Sequence, residues 1–195
     1  MITDINELDL NKTYSYADYL TWQFQEKLEL IKKKNIKMRH APRTNNQRIT
    51  RKLKGFMIYA FKNHSCELFI APFDVRLLDK KKSALDKEIH TVVQPDLCVI
   101  CDEAKIDERG GIGAPYLVIE ILSPGNSNNE MKYKFDLYQE AGVLEYWIVN
   151  PGDKTFFIYV LKDNQFIGMH PLIEEDTIQS KLFPQLDFKL ESIFN

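Results

Sequence analysis

Glu120 stands in the middle of Leu117-Val118-Ile119-Glu120-Ile121-Leu122, an otherwise unbroken apolar run. Upstream, Asp96 opens a second such run, Leu97-Cys98-Val99-Ile100. Both runs read as strands, and an ionised carboxylate there costs roughly several kcal/mol until something offsets it. The compensation is a cation, a proton or a metal. The economical reading is that the two acids meet over one divalent metal, and the fold must bring them there.

At 195 residues, 44% apolar and 12% aromatic, the chain reads as one globular domain over 1–195 with a real core. Residues 1–14 read as a leader with little structure of their own. No apolar run approaches the ~20 residues of a membrane span, and the first residues lack a basic and apolar signal pattern, so a cytoplasmic protein is expected. Three cysteines, an odd number, argue against a disulfide framework. Cys98 and Cys101 lie three apart in a strand, which turns them to opposite faces, so no zinc or redox pair is read there. The histidines His40, His64, His90 and His170 show no ligand spacing. Net charge is only −2, but it is unevenly spread. Between Leu30 and Cys66 there is no acidic residue, while Arg48, Arg51 and Lys52 belong to a dense basic series. That distribution marks a polyanion-facing patch, or more plainly a solvated helix face and a charged turn.

In order, Ser15 and Asp18 form a capping-box start for a helix from Tyr16 to about Phe24. Residues 28–31 and 36–38 read as a hairpin across the Lys32–Lys34 turn. Ile49, Leu53, Phe56, Met57, Ala60 and Phe61 recur at helical spacing and predict a helix over 45–63. Strands follow over 66–70 and 73–77, then an exposed charged loop over 79–90. Residues 92–100 read as a strand broken at Pro95, 102–113 as a polar glycine-rich loop and 116–122 as the next strand. After the break at Ser123-Pro124-Gly125-Asn126, a helix runs over 128–141 and stops at Gly142. Lys134 falls on the same side as its apolar stripe. Residues 145–149 are a strand, 155–160 and 165–168 a hairpin, and 182–194 a strand with a short closing helix. This order favours a mixed β-sheet flanked by helices, of α/β or α+β class.

Several stretches together resemble one family. They are Gln94-Pro95-Asp96, Ala114 to Pro124, Lys134 with Tyr138, Ala141-Gly142-Val143, and Glu145-Tyr146-Trp147-Ile148-Val149 with Pro151. In the N-terminal half they are Glu29-Leu30-Ile31, Met38, Pro42, Gln47-Arg48-Ile49 and Ala71 to Leu77. They are similar to a large bacterial family of endonucleases, abundant in cyanobacteria and long described as a domain of unknown function. It sits within the PD-(D/E)XK, restriction-endonuclease-like superfamily. The resemblance implies that Asp96 and Glu120 are metal ligands, Lys134 the catalytic lysine and Glu29 an additional acid. It departs at Leu122, where the superfamily carries its in-strand lysine, at Lys32-Lys33 in place of an Asp-Gly turn, and at Asn46 in place of a frequent histidine. Tyr138 reads as core packing.

On that resemblance the chain is expected to be a Mg²⁺- or Mn²⁺-dependent endonuclease acting on DNA phosphodiesters. Hard carboxylate oxygens with the backbone carbonyl of Ile121 suit Mg²⁺, which keeps several waters. A homodimer is expected of an enzyme that cuts both strands. The alternative is a nuclease-fold protein that binds nucleic acid or a protein partner without cleaving it.

Overall fold

The computed structural model describes residues 7–9, 12–24, 27–31, 35–39, 43–78, 83–123 and 128–195. The Lys32–Lys34 turn, His40, Pro42, Lys80–Lys82 and the Pro124–Asn126 break lie outside the described residues.

Helix α1 spans Tyr16–Tyr19, and its capping box is formed by Ser15 and Asp18. It is shorter than the expected helix to about Phe24. The Thr21 hydroxyl donates to the carbonyl of Asp18 at 2.7 Å, taking an acceptor the next turn needs. Strands β1 (Lys27–Ile31) and β2 (Asn35–Arg39) form the expected antiparallel hairpin. Helix α2 spans Thr44–Phe61 and buries Ile49, Leu53 and Met57 as its spacing requires. Then come β3 (Glu67–Ile70), β4 (Val75–Arg76), β5 (Val92–Val93) and β6 (Leu97–Ile100).

The stretch 102–113, read as loop, is structured. Glu103–Lys105 is a 3-10 turn capped by the Asp102 side chain, and β7 (Ile106–Asp107) turns back into β8 (Gly110–Ile112). Gly110 has φ +121°, and a Cβ there would overlap the carbonyl oxygen of Asp74. Strand β9 (Leu117–Ile121), helix α3 (Asn128–Ala141) and β10 (Glu145–Asn150) follow at the expected bounds. The chain closes with β11 (Thr155–Lys162), β12 (Gln165–Gly168), β13 (Thr177–Gln179), β14 (Asp187–Lys189) and α4 (Glu191–Phe194). Strand β13, which pairs with β14, was not expected from the tail's pattern.

Two six-stranded mixed sheets result, in the orders β2-β1-β5-β4-β8-β7 and β12-β11-β10-β9-β6-β3. In the second, β9 runs parallel to β10 and antiparallel to β6. Alternation along β9 sorts the interior. Leu117, Ile119 and Ile121 join the core under α2, whereas Val118 joins the core that also holds Tyr138 of α3. Glu120 therefore shares the α3 side of the sheet. In the strands alongside, Trp147 and Val149 take the α2 side, while Tyr146, Ile148 and Cys98 take the other. A third cluster joins Leu8, Tyr14 and Tyr16 to Leu30 and Val92, so part of the supposed leader is packed.

The expectation of no disulfide is corrected. Cys66 and Cys101 are bonded, each one residue beyond the β3–β6 ladder. Spacing along one strand compares Cys98 with Cys101 and misses a partner on the neighbouring strand. Cys98 is free and buried.

Candidate active site

Lys134 is 6% exposed, and its ammonium lies between two buried carboxylates. Nζ donates to Glu120 Oε1 at 2.7 Å and to Glu29 Oε1 at 3.2 Å. The glutamates are 6% and 0% exposed and come from different sheets, Glu120 from β9 and Glu29 from β1. The junction between the sheets is where these charges meet. The helix places Lys134 because it shares a face with Tyr138, which is fully buried against Tyr146.

Asp96 is half-buried, and its Oδ2 accepts from the backbone N–H of Ile121 at 2.8 Å. The β6–β9 register pairs Leu97 with Ile119, so its next step sets Asp96 opposite Glu120 on one face. Opposed residues on antiparallel strands carry Cβ atoms about 4.5–5.5 Å apart. The structure thus brings Asp96, Glu120, Lys134 and Glu29 into one neighbourhood. Burial raises the Tyr146 hydroxyl well above its ordinary range, and Glu120, Asp96 and Glu29 all push the same way.

Three further side chains shape the cluster. Tyr138 packs in the core as expected, and its hydroxyl also donates to Glu120 Oε1 at 2.7 Å. Burial, then Glu120 and Glu29, hold that phenol far above its usual range, so it stays a donor. Gln94 donates its backbone N–H to Glu29 Oε1 at 3.1 Å and its carboxamide to Asp74 Oδ1 at 2.7 Å. Asn46, which the sequence marks only as a departure, is buried and donates to the carbonyl of Leu122 at 3.0 Å and to Ser123 Oγ at 3.1 Å. It ties the start of α2 to the end of the strand that carries Glu120. The spacing Lys134-x-x-x-Tyr138 holds a signal for the tyrosine, since i and i+4 share a helix face.

Among the described residues, no group of three or more His, Cys, Asp or Glu side chains stands as a ready metal cage. Glu120, Asp96 and the Ile121 carbonyl offer hard oxygen donors of the kind that suit Mg²⁺, which takes few protein ligands. The carbonyl of Ile121 also lies 3.5 Å from the Asn46 amide nitrogen. Among the described residues, Glu29 and Glu120 flank the Lys134 ammonium and Asp96 lies opposite Glu120, so a divalent cation would offset the excess negative charge of these four groups.

Arg48 and Arg51 are exposed along α2. Lys52 lies on the same helix. It is half-buried, and its ammonium is engaged by the backbone carbonyl of Asn195. Among the described residues, no helix is long and apolar enough to cross a membrane.

A family model described as Uma2, putative restriction endonuclease, matches residues 16–191. No curated protein matches the chain. A solved structure described as a putative nuclease belonging to DUF820, from Anabaena variabilis, is similar with a TM-score of 0.71 and 17% identity. The likeness covers 93% of this chain and 97% of that one, and at this identity it speaks for the fold.

Proposed function

The chain belongs to the Uma2 family, described as putative restriction endonucleases, and on that premise we propose that it hydrolyses DNA phosphodiester bonds with Mg²⁺ or Mn²⁺ held at Asp96 and Glu120. The observation that carries the reading is Lys134 Nζ at 2.7 Å from Glu120 Oε1. The superfamily's in-strand lysine is Leu122 here, a half-buried residue whose backbone N–H serves the β9–β10 pairing through Val149. An amine from the following helix reaches the same acid instead.

When bound at Asp96, Glu120 and the Ile121 carbonyl, the metal supplies Lewis acidity at the scissile phosphate and a more acidic water. The protein's own groups do the rest. Lys134 orients the attacking water and meets the charge developing on the phosphate. Glu29 holds the lysine from the other sheet, and Gln94 holds Glu29. Tyr138 fixes one oxygen of Glu120, leaving the carboxylate little freedom to turn.

A supercoiled-plasmid or oligonucleotide assay with Mg²⁺ or Mn²⁺ tests the reading. The wild type is expected to cut and EDTA to stop it. Glu120→Ala is expected to lower the rate by about a hundredfold or more, as loss of a metal-holding acid does. Absence of metal-dependent cutting above the Glu120→Ala background ends the enzymatic reading. Leu122 is the observation that favours the second reading, a DNA binder that does not cleave.

The basic face of α2 makes a separate prediction. Arg48→Ala with Arg51→Ala should weaken binding to duplexes of any sequence. The slope of log K against log salt should fall by about 0.9 for each phosphate that the protein no longer neutralises. Fluorescence anisotropy across a salt series reads both.

A further inference from the structure

Next to the acid cluster lies a cavity of about 390 Å³. It is lined by Pro72, Phe73, Asp74, Gln94 and the turn from Asp107 to Gly110. Two hydrogen-bonded links place it at the candidate active site. The N–H of Ala71 donates to the carbonyl of Asp96 at 3.1 Å, and Gln94 spans from Glu29 to Asp74. The cavity and the carboxylates therefore share Gln94 as a common wall.

Its chemistry is mixed. Phe73 stacks on Phe69 with ring centroids 4.0 Å apart, which makes a firm aromatic wall. Asp74 accepts from the Gln94 carboxamide at 2.7 Å and from the Tyr19 hydroxyl at 3.5 Å, both on Oδ1. Among the described residues, no donor is found at Oδ2. Burial raises the Asp74 carboxyl above its ordinary range, bonds from Gln94 and Tyr19 lower it, and Glu29 adds a smaller upward push. Arg109, which also lines the cavity, donates to Asp86 at 2.7 Å. Asp74 and Glu108 disfavour a phosphate here, and the polar floor disfavours an aliphatic ligand. A flat heteroaromatic ring that brings an N–H₂ donor satisfies both walls, since carboxylates pair with exocyclic amines and rings stack on aromatics.

We propose that this cavity receives an unpaired nucleobase bearing an exocyclic amino group, as cytosine, adenine and guanine do and thymine does not, from the nucleotide next to the phosphate at Glu120. The proposal rests on the nucleic-acid reading of the site. Phe73 supplies the stacking face and Asp74 accepts the amine. The two residues thereby set a base preference beside the cut that the carboxylates and Lys134 have no means of reading.

The test is anisotropy of short fluorescent oligo(dC), oligo(dA) and oligo(dT) with the full chain in EDTA, where no cutting intervenes. The wild type is expected to bind oligo(dC) and oligo(dA) about tenfold more tightly than oligo(dT), the scale of one well-stacked, bonded base. Asp74→Asn is expected to remove most of that margin, because its amide presents a donor to the base amine. Phe73→Leu keeps the wall apolar and should weaken oligo(dC) and oligo(dA) binding. Both variants should leave the salt slope for oligo(dT) as it is. Substitutions on two walls keep the test decisive if one variant fails to fold. Equal binding of the three oligonucleotides by the wild type, or a preference that survives both substitutions, overturns the proposal. Metal-dependent cutting without base preference would overturn this proposal alone. A base preference without cutting would overturn the hydrolase alone.

Discussion

Lys134→Met is expected to cripple the protein twice, once in catalysis and once in folding. The side chain keeps its length and loses its charge, so Glu29 and Glu120 remain buried with no ammonium between them. Removing one partner of a buried ion pair costs about 3–5 kcal/mol, because the remaining charge is uncompensated. Here two carboxylates are left behind. A urea melt in EDTA should show that loss. A divalent cation at the carboxylates should return part of it, about 2.7 kcal/mol at a hundred times its dissociation constant. Cleavage should not return with it, since the group proposed to meet the developing charge is gone, a loss of roughly 10²–10³ in rate. The combination separates the two roles. A variant as stable as wild type in EDTA would show that the glutamates find compensation elsewhere, and one that cleaves normally would remove Lys134 from the chemistry.

Glu145→Ala should be the most damaging change away from the acid cluster. Glu145 is fully buried, and its carboxylate accepts from Trp147 Nε1 at 2.6 Å, Ser180 Oγ at 3.0 Å and Leu182 N at 2.8 Å, with Lys181 N at 3.1 Å. It gathers donors from the segment before β14 onto the first residue of β10. Truncation leaves those donors buried without an acceptor and opens a cavity, at about 3–5 kcal/mol together. For a chain of this size that is a fall of about 10 °C in Tm. Unlike the Lys134 variant, it should gain nothing specific from Mg²⁺. A loss under about 1 kcal/mol would mean that the segment is held by its apolar contacts alone.

The acids were legible because their cost was legible. Glu120 in an apolar run demands a partner, and Lys134 on an apolar stripe demands one too; the structure introduces them to each other. The register that sets Asp96 opposite Glu120 follows from alternation on two strands whose bounds the sequence marks well. Three things were hidden. Glu29 joins from a separate sheet, and nothing local in the β1 hairpin tells which acid across the molecule or which amine it will meet; only the family resemblance singled it out. The β7–β8 hairpin hides in a polar stretch because its strands are very short and its turn depends on Gly110 and on Asp107 accepting from Arg109 N at 2.8 Å. The Cys66–Cys101 bond joins neighbouring strands, so spacing along either strand is silent about it. Helix α1 fell short because a hydroxyl at Thr21 competes for a carbonyl, a contest that periodicity does not register.

Asn46 sits two positions before Arg48 and holds the carbonyl of Leu122, two residues beyond Glu120. The helix proposed to grip DNA and the strand proposed to cut it are thus joined, among the described residues, by one carboxamide. A polyanion that pulls on the outer side of this helix pulls directly on the strand whose acid does the proposed work. Such a coupling would let the protein feel whether its cargo is seated before it commits to hydrolysis.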